Sequence, residues 1–134
     1  DHIELQGWFK QFLQWMQTSE IGLDEMDAPN NHGAWYDAQR LSFSLFVDSM
    51  VLAKKIVQNA QVRLDKQMDD AGKFPLEMAR TTSLHYSVFV MDAFFNLAQM
   101  AEQTGIDFWT WQITRGISTS PAERSAFQGQ GDCH

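Results

Sequence analysis

The chain has 134 residues, 44% of them hydrophobic, which is the composition of one globular domain and excludes a disordered chain. Its formal net charge of −7 argues against nucleic acid as a partner, because phosphate binding needs a basic face. The sequence has no run of about 18 apolar residues, so no membrane span is expected, and its single cysteine, Cys133, offers no internal disulfide.

Apolar side chains recur at helical spacing in the first half of the chain. Residues 3–16 carry such a stripe with a polar opposite side, and residues 35–46 resume the same spacing. Between these two stretches, up to Gly33, the sequence is rich in Asp, Asn, Pro and Gly, which predicts a loop. Asp48 is expected to cap a further one-faced helix that runs to about residue 68.

The second half continues the helical pattern and then loses it. Residues 69–72 predict a turn, and residues 83–103 are apolar around most of the circumference, which predicts a helix buried on several sides. From about residue 113 no helical stripe remains. We therefore expect a helical domain over residues 1–112 and an irregular C-terminal tail over residues 113–134.

The fold class that follows is all-α, because few strand signals accompany these stripes. Helices with one apolar face alternate with a helix that is apolar nearly all round. This alternation indicates two helical layers, as in a helical barrel or solenoid.

Two short segments place titratable groups against this apolar framework. The first, residues 30–37, is Asn-Asn-His-Gly-Ala-Trp-Tyr-Asp, at a junction between loop and helix. The second, residues 76–86, contains Leu-Glu-Met-Ala-Arg and then Leu-His-Tyr. Buried polar groups are costly unless they are paired, so such clusters need a structural or a chemical reason.

One interpretation of the two segments is purely structural. Asn31 would cap the helix that begins near Ala34. The Arg80 guanidinium would pair with Glu77 or Asp37, and Tyr86 would pack its ring in the core with its hydroxyl satisfied.

The other interpretation is chemical. Elimination from a uronate polysaccharide removes the C5 proton and expels the oxygen at C4, so the adjacent carboxylate must be neutralised. An amide such as Asn31 and a cation such as Arg80 suit that task. His32 and Tyr86 are groups of the kind that can act as general base and general acid, and a nearby guanidinium favours the phenolate form of a tyrosine.

At these segments the sequence resembles a known family. Residues 30–37 resemble the first signature of alginate-lyase-domain proteins. Met-Ala-Arg at residues 78–80, followed by Leu-His-Tyr at residues 84–86, resembles the second. The likeness extends from about Trp8 to about Trp111, and two signatures in the right order are more specific than either alone.

The resemblance implies an (α/α) toroid or barrel with a cleft for an acidic polysaccharide. It implies that Asn31 and Arg80 hold the substrate carboxylate. It further implies that Tyr86 is the general acid, and often the base as well. His32 is the other candidate base, with a role that depends on which uronate epimer is bound.

Further expectations follow for the surroundings of this site. The predicted substrate-binding residues are Trp35, Tyr36, Gln39 and His85, although core packing is an alternative for Trp35. No cofactor and no metal is expected, because no metal-ligand spacing stands out.

The resemblance also bears on the size and setting of the protein. Catalytic domains of the family are longer, so an incomplete barrel is expected, and the family points to a bacterial periplasmic or secreted protein. The rival hypothesis is a non-catalytic helical fragment that binds glycan weakly or self-associates through exposed apolar helix faces. A third hypothesis, an all-α metal-binding module, has less support.

Overall fold

A computed structural model describes residues 1–111, and the predicted tail over residues 113–134 lies outside them. The described part is helical and contains no strand, so the all-α prediction is confirmed. None of its helices is both long and apolar enough to cross a membrane. The elements are α1 (His2–Thr18), α2 (Glu20–Asp27), α3 (Asn31–Phe46), α4 (Met50–Gln67), α5 (Pro75–Met78), α6 (Ser83–Ala101) and a 3₁₀ turn (Glu102–Thr104).

Helix α2 corrects the prediction of a loop up to Gly33. The Ser19 hydroxyl accepts the backbone N–H of Gly22 and caps this helix. Gly22 does not break it, because its missing side chain has a packing reason: a Cβ there would collide with the backbone carbonyl of Met16 in α1. Gly22 therefore marks the close contact between α1 and α2 and not a loop.

The corner between α3 and α4 also differs in detail from the prediction. Asp48 does not cap α4. It lies in the turn with φ of 57°, a left-handed conformation that Asp tolerates better than most residues. Ser49 occupies the N-cap position without a side-chain hydrogen bond, and α4 begins at Met50.

Helix α3 is the centre of the described structure and contacts α1, α2, α4 and α6. Its core positions meet small and branched side chains from α4 and α6; Leu41, Ile56 and Leu97 are completely buried. Burial of each such side chain contributes roughly 1.5–3 kcal/mol. Phe9 of α1 packs between Phe43 and Phe46 of α3, with ring centroids 4.9 and 5.2 Å away.

Helix α6 is less buried than its composition predicts. One face, which includes Val90, Phe94 and Leu97, packs against the helices of the core. The opposite face leaves Leu84 and Val88 exposed. The prediction of a helix buried on several sides is therefore wrong for the described residues, because α3, α4 and α5 cover only one side of it.

Candidate active site

A cleft of about 600 Å³ lies between the start of α3 and the segment that joins α5 to α6. Its walls carry the four predicted catalytic residues, Asn31, His32, Arg80 and Tyr86. Five more residues complete the lining. Three are predicted substrate-binding residues, Trp35, Tyr36 and Gln39, and two, Glu25 and Phe89, were not singled out by the sequence analysis. The two sequence segments therefore meet in space.

Asn31 is held by the most extensive polar contact in the cleft. Its backbone N–H donates to Glu77 Oε1 over 2.7 Å, and its Nδ2 lies 3.1 and 3.0 Å from the two oxygens of the same carboxylate. Both side chains are buried. The helix cap is instead Asn30, whose Oδ1 accepts the backbone N–H of His32, so the prediction that Asn31 caps α3 is wrong.

Glu77 explains how the two segments come together. It lies in α5, and its hydrogen bonds to Asn31 tie that short helix to the start of α3 across 46 positions of sequence. The structural interpretation paired Glu77 with Arg80 instead. Because Arg80 lies two residues after the end of α5, the contact also brings the guanidinium to the cleft.

Arg80 lies over the face of the Tyr86 ring, with the guanidinium carbon 3.7 Å from the ring centroid. This is the geometry of a cation–π contact. The salt bridges within residues 1–111 do not involve Arg80, and its side chain is exposed. The cleft therefore presents a cation to solvent even though the whole chain is acidic.

His32 and Glu25 face each other at the rim of the cleft. The imidazole Nδ1 lies 3.1 Å from Glu25 Oε2, and both side chains are about half exposed. Glu25 belongs to α2, the helix that the sequence analysis assigned to a loop. It lies seven positions before His32 in the sequence, and no periodic pattern drew attention to it.

Behind the cleft, a buried ion-pair network supports the α2–α3 junction. Arg63 of α4 donates from Nε to Asp37 Oδ2 over 2.7 Å, and its two terminal nitrogens donate to the carbonyls of Met26 and Ala28. Arg40 lies 3.7 Å from the other oxygen of Asp37. Burial raises the pKa of Asp37 above its ordinary value, and the two guanidinium groups oppose that effect.

Tyr36 and Trp35 combine packing with cleft lining. The Tyr36 hydroxyl donates to the carbonyl of Met16 over 2.6 Å, and burial raises the pKa of this phenol. The Trp35 ring packs against Phe89 at 5.1 Å between centroids. Its buried Nε1 has no hydrogen-bond partner among the described residues.

His85 is the predicted site residue that does not line this cleft. It lines a neighbouring surface depression of about 300 Å³ together with Asp92 and Phe95. The ring is parallel to that of Phe89, 6.3 Å away, so the two depressions share the Phe89 side chain. Across residues 1–111, no group of three or more His, Cys, Asp and Glu side chains is arranged to hold a metal ion.

Comparison with known proteins places these features in a family. The family model described as alginate lyase matches residues 1–120, whereas no curated protein matches the chain. A crystal structure of an alginate lyase from Bacteroides ovatus matches with 35% identity and a TM-score of 0.79. The match covers 81% of this chain and 29% of the solved one. The chain belongs to the alginate lyase family.

Proposed function

We propose that this protein is a polysaccharide lyase that cleaves alginate or a related polyuronate by β-elimination between C4 and C5. The observation that supports this most directly is the convergence of an amide, a guanidinium, an imidazole and a phenol on one cleft. These are the groups that elimination from a uronate requires. An acidic polysaccharide is then the partner, and its charge is met locally by Arg80.

In the proposed reaction, Asn31 and Arg80 bind the carboxylate of the uronate. Neutralising this carboxylate makes the C5 proton more acidic, and the same donors stabilise the enolate that develops. The buried contact with Glu77 fixes Asn31 in place before substrate arrives: one N–H of the amide meets both carboxylate oxygens, and the second N–H is left to donate to the substrate. Such preorganisation avoids a cost of reorientation during the reaction.

Proton transfer falls to His32 and Tyr86. Where His32 is the base, it takes the proton from C5 and Tyr86 donates its own proton to the departing O4. Where Tyr86 is the base, its phenolate takes the C5 proton and then passes that proton to O4. Mannuronate and guluronate are C5 epimers, so their C5 protons lie on opposite faces of the ring, and the choice of base follows the epimer bound. The electron pair of the C5–H bond forms the C4=C5 double bond and leaves an unsaturated non-reducing end.

Binding of the neighbouring sugar units is assigned to the remaining lining residues. Trp35 presents part of its ring to the cleft, and Gln39 offers an exposed amide at the same wall. Tyr36 contributes through its ring, because its hydroxyl is already bonded to Met16. His85 would contact only a sugar unit that extends beyond the cleft, toward the depression it lines. A periplasmic or secreted location accords with a polymeric substrate of this kind.

A second candidate function is a non-catalytic module that binds glycan weakly or self-associates. It is favoured by the exposed apolar face of α6.

The deciding experiment follows ultraviolet absorbance while the protein is incubated with mannuronate-rich and guluronate-rich alginate. The C4=C5 bond conjugated to the carboxylate absorbs, so a lyase gives a rising signal. We expect Tyr86→Phe to abolish it and His32→Ala to reduce it by about 10²-fold or more on one epimer. No signal from folded wild-type protein on any polyuronate would support the non-catalytic module instead.

A further inference from the structure

The contact between Glu25 and His32 has a chemical consequence for the cleft. Glu25 lies outside both sequence segments, yet its Oε2 is 3.1 Å from the Nδ1 of His32 and its side chain lines the same cleft. A carboxylate only accepts hydrogen bonds, so the neutral imidazole facing it must carry its proton on Nδ1. The Nε2 atom then keeps its lone pair.

We propose that Glu25 is a positioning residue that holds His32 in the Nδ1–H tautomer, so that Nε2 is the base for the C5 proton. This inference rests on the proposed lyase function and adds to it a residue that selects the competent tautomer. A carboxylate that orients an imidazole through Nδ1 is a general device in acid–base catalysis.

The fold keeps Glu25 within reach of His32. Arg63 binds the carbonyls of Met26, the residue after Glu25, and of Ala28, the C-cap of α2, and Asp37 fixes Arg63 from α3. The carboxylate and the imidazole therefore lie on the two sides of the α2–α3 junction, which Arg63 holds in position. The 3.1 Å contact between Glu25 and His32 therefore does not require a flexible loop to adopt one particular conformation.

Elements other than α3 bring three charged or titratable groups to the cleft beside His32. Glu25 approaches from α2, Arg80 from the segment before α6, and Tyr86 from α6. Among residues 1–111, Glu25 is the group that hydrogen-bonds to the imidazole. The other two line the opposite wall, where the substrate carboxylate and O4 are proposed to lie.

In the step assigned to this pair, the C5–H bond breaks and Nε2 of His32 takes the proton. The electron pair becomes the C4=C5 double bond, and the C4–O bond breaks with its pair remaining on oxygen. Tyr86 supplies the proton that this oxygen takes up. The imidazolium that forms is stabilised by the adjacent Glu25 carboxylate. After the product leaves, the imidazolium returns its proton to solvent and the Tyr86 phenolate takes one up.

The first test reads the tautomer and does not depend on activity. The ring ¹⁵N shifts of His32 are measured for the wild type, Glu25→Ala and Asp24→Ala, a control that removes a carboxylate from the same helix outside the cleft. We expect neutral His32 to be protonated on Nδ1 in the wild type and the control, and to change to Nε2–H in Glu25→Ala. An Nε2–H tautomer in the wild type would overturn the proposal.

The second test uses kinetics on the uronate whose cleavage depends on His32. Glu25→Ala should lower kcat by about 10- to 100-fold with KM nearly unchanged, by analogy with residues that orient ligands and bases. Glu25→Gln should retain more activity, because its Oε1 still accepts from Nδ1–H. In a His32→Ala background, Glu25→Ala should cause no further loss.

These outcomes separate this proposal from the proposed function. Inactive wild-type protein with the expected tautomer would refute the lyase function and, with it, the catalytic use of the pair. An active wild type whose kcat is unaffected by Glu25→Ala, or an additive loss in the double variant, would refute the role of Glu25 alone.

Discussion

The orientation of the Asn31 side chain is decided by Glu77, because a carboxylate accepts hydrogen bonds and cannot donate them. The amide nitrogen must therefore point toward α5, where it meets both carboxylate oxygens. A buried acceptor that lost these donors would carry the full cost of desolvation. The proposed carboxylate-binding amide is thus fixed by a residue that need not touch substrate.

Replacing Glu77 by Gln tests this dependence at nearly constant volume. The Gln Oε1 can still accept the backbone N–H of Asn31, but its amide nitrogen then opposes Asn31 Nδ2. We expect a loss of about 1–3 kcal/mol in the free energy of unfolding, measured by urea denaturation, and at least a tenfold loss of kcat/KM on alginate. Unchanged kinetics in a Glu77→Gln variant would contradict this role for Asn31.

At the scale of elements, helix α2 depends on α4 for its position. Arg63 donates to two carbonyls at the C-terminal end of α2 and to Asp37 in α3. Gly33 leaves the room for this guanidinium, since a Cβ at that position would collide with it. The glycine at position 33 of the first segment is therefore required by packing against Arg63 and not by contact with substrate.

Arg63→Met should destabilise the protein by about 3–5 kcal/mol near neutral pH, because it leaves the Asp37 carboxylate buried without this partner. Arg63 lowers the pKa of Asp37 against the larger effect of burial, so in the variant that pKa rises further. The deficit is therefore full above the variant's pKa and shrinks as the pH falls through it. Denaturation at several pH values measures this trend.

The matched control for this prediction is the double variant Arg63→Met/Asp37→Asn. It removes the buried charge as well as its partner, so its stability should exceed that of Arg63→Met at neutral pH and should vary less with pH. A deficit in Arg63→Met that stays constant from neutral to acidic pH would show that the lost bonds to the α2 carbonyls, and not the unpaired carboxylate, dominate.

At the scale of the whole molecule, the periodicity of apolar residues predicted most of the helices but not the contacts between them. The stripes of α1, α3 and α4 were visible because each has one apolar face. The short acidic α2, in contrast, depends on a contact with α1 at Gly22, which local sequence does not indicate. The two segments, residues 30–37 and 76–86, supply most of the residues that line the cleft. The pairing of Glu77 with Asn31, 46 positions apart, could not be predicted, because sequence spacing does not specify which helices pack together.

The outer face of α6 leads to a last prediction about the whole molecule. Leu84, Val88, Met91 and Phe95 are all exposed and follow each other at spacings of four, three and four residues, so they form one apolar stripe. A stripe of this kind is typical of a helix packed against a neighbour. We expect two copies of the chain to associate through it.

Sedimentation of the isolated chain at several concentrations should therefore show a species larger than the monomer, and Val88→Lys/Phe95→Lys should abolish it. The melting temperature of this variant should be nearly unchanged when measured at low concentration, because the two side chains are 57% and 53% exposed in the monomer. Val51→Lys in α4 is the control, since Val51 is 86% exposed but lies outside the stripe. A wild-type chain that remains monomeric throughout, or an equal effect of Val51→Lys, would show that the stripe does not mediate self-association.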